Sequence, residues 1–201
     1  MIVLLNGGVP LAGDDYEYLD KLKENIASEE LVTVPIGGET DWDWTHRCLE
    51  EASAIVLVCG VCMDGVPSHV LRFLEEIERA VIGGESIPGK FYAILHTDLY
   101  EGEQIAAAMG ILKNFCRRAN IMWGRGLGIG GSCVKPGKKP TLFSLLWQGC
   151  CGGLHTDVSI MEHAMFIREQ MQGKDDYISS ACVSRSNYMR YVNRAGRKRH
   201  A

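Results

Sequence analysis

The chain has 201 residues, 46% of them hydrophobic and 23% charged, with a formal net charge of −4. That length suits one domain with a substantial core, and that balance excludes a disordered chain. The longest apolar stretch, 54–63, is half of what a membrane helix needs, and Asn6-Gly7-Gly8 interrupts the N-terminal apolar run too early for a secretory signal. A cytoplasmic protein is therefore expected, and the eight cysteines are read as reduced thiols rather than a disulfide framework. Charge is unevenly placed. Residues 185–201 hold six cations and no acid, so the remainder carries −10. An acidic body of this kind argues against nucleic acid as a partner.

Strand-like and helix-like runs alternate along the chain. Ile2-Val3-Leu4-Leu5 is a short apolar strand ending at Asn6-Gly7-Gly8. Asp14 or Asp15 can cap a helix in which Tyr18, Leu22 and Ile26 recur at helical spacing. Leu31 to Val34 reads as a second strand, and 39–43 as an acidic turn with Trp42 in it and Trp44 next to it. Ala54 to Cys59 is the most apolar strand. Pro67 then suits the first turn of a helix with Val70, Leu74, Ile77 and Val81 on one face. Lys90 to His96 reads as a fourth strand, Gln104 to Ala119 as a helix, and 121–129 as a fifth strand broken by glycines. Beyond Gly131 three helices are expected, over 140–151, 155–172 and 186–199.

Continuous apolar strands joined by amphipathic helices imply a sheet covered on both faces. The fold class expected is α/β: a doubly wound, five-stranded parallel sheet with the first strand inside it and a C-terminal helical extension. The whole of 1–201 reads as one domain, with a core over 1–131 and the extension over 132–201.

In such a sheet, ligands bind beyond the carboxyl ends of the strands. Three loops qualify, over 6–15, 60–67 and 97–103, all rich in glycine or turn residues that let backbone amides approach a ligand. The first lacks both the G-x-G-x-x-G spacing of a dinucleotide site and the lysine of a P-loop. Cys59-Gly-Val-Cys62 ends a strand instead of opening a helix, which argues against a redox dithiol. The histidines have no chelating i,i+4 spacing, so no metal is expected. His96, at a strand's carboxyl end, is read as structural ahead of ligand-touching.

Several stretches carry a family likeness: Glu50 to Val58 running into Gly60–Glu75 with Leu71-Arg72-Phe73-Leu74-Glu75, Gly89-Lys90 before the fourth strand, Thr97 and Gly102 after it, and Asn187-Tyr188-Met189-Arg190-Tyr191 near the end. In their order and spacing the chain resembles the flavodoxin-like NAD(P)H-dependent FMN reductases, including multimeric flavodoxins and iron–sulfur flavoproteins, over residues 1 to about 130. The resemblance implies an oxidoreductase passing electrons from NAD(P)H through FMN to a small acceptor. It places the FMN phosphate at Gly7, Gly8, Gly13, Asp14 and Asp15. The ring would lie between Gly60, Val61, Cys62 and Met63 on one side and Thr97, Asp98 and Gly102 on the other. No catalytic side chain is implied. The phosphate loop is degenerate: from Asn6 to Asp15 there is no Ser, Thr, Lys or Arg, and Gly60-Val61-Cys62 replaces the family's Pro-x-Tyr. The second reading is a flavodoxin-fold binding module without FMN. The tryptophans, the basic last helix and the extension imply a homodimer or higher oligomer with no membrane or nucleic-acid partner.

Overall fold

The computed structural model describes residues 1–8, 19–20, 23, 30–38, 40–61, 65–132, 176–181 and 184–199. The strands are β1 (Ile2–Asn6), β2 (Leu31–Pro35), β3 (Ala54–Gly60), β4 (Lys90–Thr97), β5 (Trp123–Gly130) and β6 (Tyr177–Ser179). They form one sheet in the order β2-β1-β3-β4-β5-β6, every neighbouring pair parallel. The doubly wound parallel sheet is thus present, with β1 inside it. One strand more than expected joins its far edge.

Alternate residues of the central strands feed two cores. Val3, Leu5, Ile55, Leu57, Phe91, Ala93 and Leu95 face one side. There they meet α1 (Trp42–Glu50), α2 (Ser68–Ile82) and α3 (Ile105–Arg118) through Leu49, Phe73, Leu74, Ile77, Leu112 and Phe115. Ile2, Leu4, Val56, Val58, Tyr92, Ile94, Leu127 and Ile129 face the other side with Leu19. Burial on both faces is why these strands read as unbroken apolar runs.

Three local outcomes differ from the sequence reading. The acidic stretch before Cys48 is no mere turn. Asp41 caps α1 by accepting the Trp44 amide at 3.0 Å, and Trp42 stacks on Phe73 with ring centroids 5.1 Å apart. The glycines of β5 are sites of close approach. A Cβ at Gly124 would strike the Tyr92 ring, and one at Gly126 the Met109 sulfur. Finally, the region after Gly131 is not wholly helical, because β6 lies within it. Asp176 explains the docking of β6: its carboxylate accepts from Trp123 Nε1 at 3.1 Å and the Gly126 amide at 2.9 Å, and pairs with the Lys113 ammonium. The last helix is present as α4 (Arg185–Arg199). The helices expected over 140–151 and 155–172 lie outside the described residues, as does most of the one expected to follow Asp14.

Candidate functional site

The sheet order reverses at β1, since β2 lies on one side of it and β3 on the other. The carboxyl ends of β1 and β3 therefore flank the switch point where this fold class places ligands. Gly7 follows β1 and donates its amide to the Val58 carbonyl at 2.8 Å. A Cβ on Gly7 would stand 2.7 Å from Cys59 Cβ and 2.9 Å from Val70 Cγ2, so only glycine lets β1 leave the sheet here. His69, in the first turn of α2, donates from Nε2 to the Gly7 carbonyl at 2.8 Å. The Gly8 amide turns back to Asn6 Oδ1 at 3.0 Å. Both glycine amides are thus used within the protein, and they shape the loop rather than offer donors from it.

Across the switch point, Gly60 ends β3 and pairs with His96 of β4. The imidazole of His96 lies against Gly60, with Cε1 3.2 Å from where a Cβ would stand. The Val61 amide donates to the His96 carbonyl at 2.7 Å. Beyond β4, the buried Thr97 takes the Leu99 amide on its hydroxyl at 3.3 Å, forming a tight turn that exposes Leu99.

Asp98 is tied into a side-chain chain. The Ser132 hydroxyl donates to Asp98 Oδ1 at 2.9 Å, and His96 Nδ1 lies 3.3 Å from the same hydroxyl oxygen. With its one proton given to Asp98, Ser132 accepts from His96 Nδ1. Serine here sits between the acid and the imidazole, the wrong order for an activated nucleophile.

The C-terminal segment closes this second half of the site. The Gly102 amide donates to Ser180 Oγ at 3.3 Å, and the Ala181 amide to the Tyr100 carbonyl at 2.9 Å. The Tyr188 hydroxyl donates to the Asp98 carbonyl, and its ring meets Tyr100 edge-on at 5.3 Å. Arg185 pairs with Glu101 at 3.2 Å. Residues 98–103 are therefore clasped by a segment about eighty positions away in sequence.

Of the residues expected at the site, Gly7, Gly8, Gly60, Val61, Thr97, Asp98 and Gly102 gather along one edge of the sheet, at the carboxyl ends of β1, β3 and β4. Gly13, Asp14, Asp15, Cys62 and Met63 lie outside the described residues. Sequence reasoning missed His69, Ser132, Ser180 and Tyr188. Only His69 had a local signal, as a polar residue opening a helix after Pro67. Two buried thiols are less acidic than usual. Burial pushes Cys116 up to about 12, and burial followed by the nearby Glu51 charge raises Cys48. Among the described residues no group of three or more His, Cys, Asp or Glu is placed to hold a metal, and no helix is long and apolar enough to cross a membrane.

No known protein-family profile and no curated protein matches the chain. Solved structures do. A flavodoxin, WrbA-like protein from Agrobacterium tumefaciens superposes with a TM-score of 0.54 at 13% identity, covering 86% of this chain and 98% of that one. A short-chain flavodoxin associated with a bacterial microcompartment gives 0.54 at 12% identity, covering 84% and 96%. An NADPH-quinone reductase from P. pentosaceus gives 0.54 at 11% identity, covering 86% and 98%. With its parallel sheet, its switch point at β1 and these structural likenesses, the chain has the flavodoxin-like α/β fold.

Proposed function

We propose that the chain is an FMN-dependent oxidoreductase that takes electrons from NAD(P)H and passes them to a small acceptor. The observation that carries this reading is the convergence of Gly7, Gly60 and the 97–102 turn at the carboxyl ends of β1, β3 and β4, beside the switch point where this fold class places its ligands. The names borne by proteins of like fold, a flavodoxin and an NADPH-quinone reductase, support it. FMN, when bound, would supply the electron chemistry, and the protein would supply position and electrostatics.

Val61 and the exposed Leu99 are suited to flank the ring. With the Gly7 and Gly8 amides already paired, the phosphate would rest on backbone amides beyond Gly8, in the stretch containing Gly13, Asp14 and Asp15. The proposal takes 1–201 as one domain that works in the cytoplasm as a homo-oligomer.

One feature favours the cofactor-free module as a second reading. No cation or hydroxyl occurs between Asn6 and Asp15, so nothing there offsets two carboxylates near a phosphate dianion. Gel filtration of the purified protein followed by flavin absorbance separates the two readings. Bound FMN that co-elutes supports the oxidoreductase. A colourless protein that takes up no FMN, even with Asp14→Ser and Asp15→Thr introduced together, overturns it. If the carboxylates face the phosphate, that double change tightens FMN binding about tenfold, from roughly 1 kcal/mol of repulsion relieved per charge at most.

A further inference from the structure

Charge divides along the chain. Residues 14–51, the stretch of sequence that contains β2, hold twelve acidic and three basic residues. Residues 185–201, which follow β6, hold six basic residues and no acid. β2 and β6 are the two opposite edges of the sheet, five strand spacings or about 24 Å apart. The screening length at physiological salt is about 8 Å, so the two ends neutralise each other little within one molecule.

Each end also presents apolar surface beside its charge. On α4, Tyr188 is buried as the anchor, and residues 189–194 are all exposed. Met189, 48% exposed, and Val192, one turn on, form an apolar stripe, while Arg190 and Arg194 form a basic one beside it. Neither arginine has an ion-pair partner among the described residues. On α1, Asp43, Glu50 and the following Glu51 are exposed, with a single cation, Arg47, beside them and bonded to the Asp43 carbonyl at 3.2 Å, and Trp44 stands on the same side at 37% exposure.

We infer that α4 of one copy docks on α1 of a second copy, with Arg190 and Arg194 against Asp43 and Glu50, and Met189 and Val192 against Trp44. This rests on the self-association proposed above. A two-fold pair makes the contact twice, because each copy brings one basic helix and one acidic face. An anionic membrane or polynucleotide fits less well. Both would attract α4 but be repelled by the body's −10, and neither offers a carboxylate-framed indole to the apolar stripe.

The test is sedimentation equilibrium of the full chain at 50 and 500 mM salt. Four forms are compared: wild type, R190E/R194E, D43R/E50R, and all four changes together. Circular dichroism and Tm confirm that each is folded. The inferred contact weakens at high salt, loses at least tenfold in Kd in either double variant, and recovers when the two are combined. Trp44→Ala, a smaller change at the same face, also weakens it. A monomer at every concentration overturns self-association and this contact together. A dimer indifferent to salt and to charge reversal leaves self-association standing and overturns the contact. A monomeric wild type that co-sediments with phosphatidylserine vesicles, or retards a labelled oligonucleotide, through Arg190 and Arg194 overturns it in favour of an anionic surface.

Discussion

The two halves of the site edge are built by different means. At β1 and β3 the chain is held by backbone contacts from neighbouring strands, with two glycines and one histidine close by. At β4 and β5 the loop over 98–103 is held by side chains and by a segment that arrives from residues 180–188. At Gly7 the first half has no room for an added atom. The clasp of the second half, by contrast, is a set of replaceable bonds, each modest and none indispensable. Geometry fixed by the sheet is therefore expected to fail all at once, and geometry fixed by a clasp to loosen by degrees.

Gly7→Ala is the sharpest way to test that contrast. The added methyl meets Cys59, Val70 and the Val58 carbonyl within 3.2 Å, all in the packed interior. A loss of about 3 kcal/mol is expected, read as a lower urea midpoint with unchanged slope. A change below about 1 kcal/mol would show that the β1 end can yield.

Cys116 supplies a control that acts on both halves together, since it belongs to the face of α3 buried in the shared core. Burial holds its thiol at about 12 in the folded chain, against an ordinary value of 9.0, so the folded state favours the neutral form. That stability is fully present below pH 9 and is lost as pH rises toward 12. Unfolding at pH 11 should be easier by on the order of 2 kcal/mol, and Cys116→Ala should flatten the alkaline slope. An unchanged slope in the variant would assign the alkaline loss elsewhere.

Tyr188→Phe removes one hydroxyl bond of the clasp and keeps the ring on Tyr100. It should cost about 1 kcal/mol, with faster amide exchange at Ala181 and Gly102 but not at Gly7. Faster exchange at both ends would mean that the halves are not independent. The smallest effect is expected from Arg185→Ala. Its pair with Glu101 is exposed on both sides and should contribute no more than about 0.5 kcal/mol, vanishing at high salt.

This division also decides what could be read from sequence. The central strands announce themselves because both faces are buried, so Ile2 to Leu5 and Ala54 to Cys59 are apolar without alternation. The α2 face was legible from the spacing of Val70, Leu74 and Ile77. The nine-residue α1 was hidden because it opens with an acidic, tryptophan-rich turn, and its signal is the cap at Asp41 rather than a long stripe. The three-residue β6 was invisible: it is too short for a pattern, and it is placed by Asp176 meeting groups some fifty positions earlier. The same holds for the site. The glycine loops carry a local signature, whereas Ser132, Ser180 and Tyr188 matter only through partners the sequence does not place beside them.

The clasp has a consequence for how the protein is made. Residues 1–130 contain every strand but β6 among the described residues, and the clasping residues that hold 98–103 come some fifty positions later. At translation speeds of about 5–20 residues per second, that interval lasts roughly 3–10 s. Over those seconds the β1 and β3 ends can already be in register, while the turn after β4 still lacks Ser180, Ala181 and Tyr188. A nascent chain is thus born with one rigid wall of its site and one loose one. A ligand that needs both walls can be retained only after the C-terminus has docked.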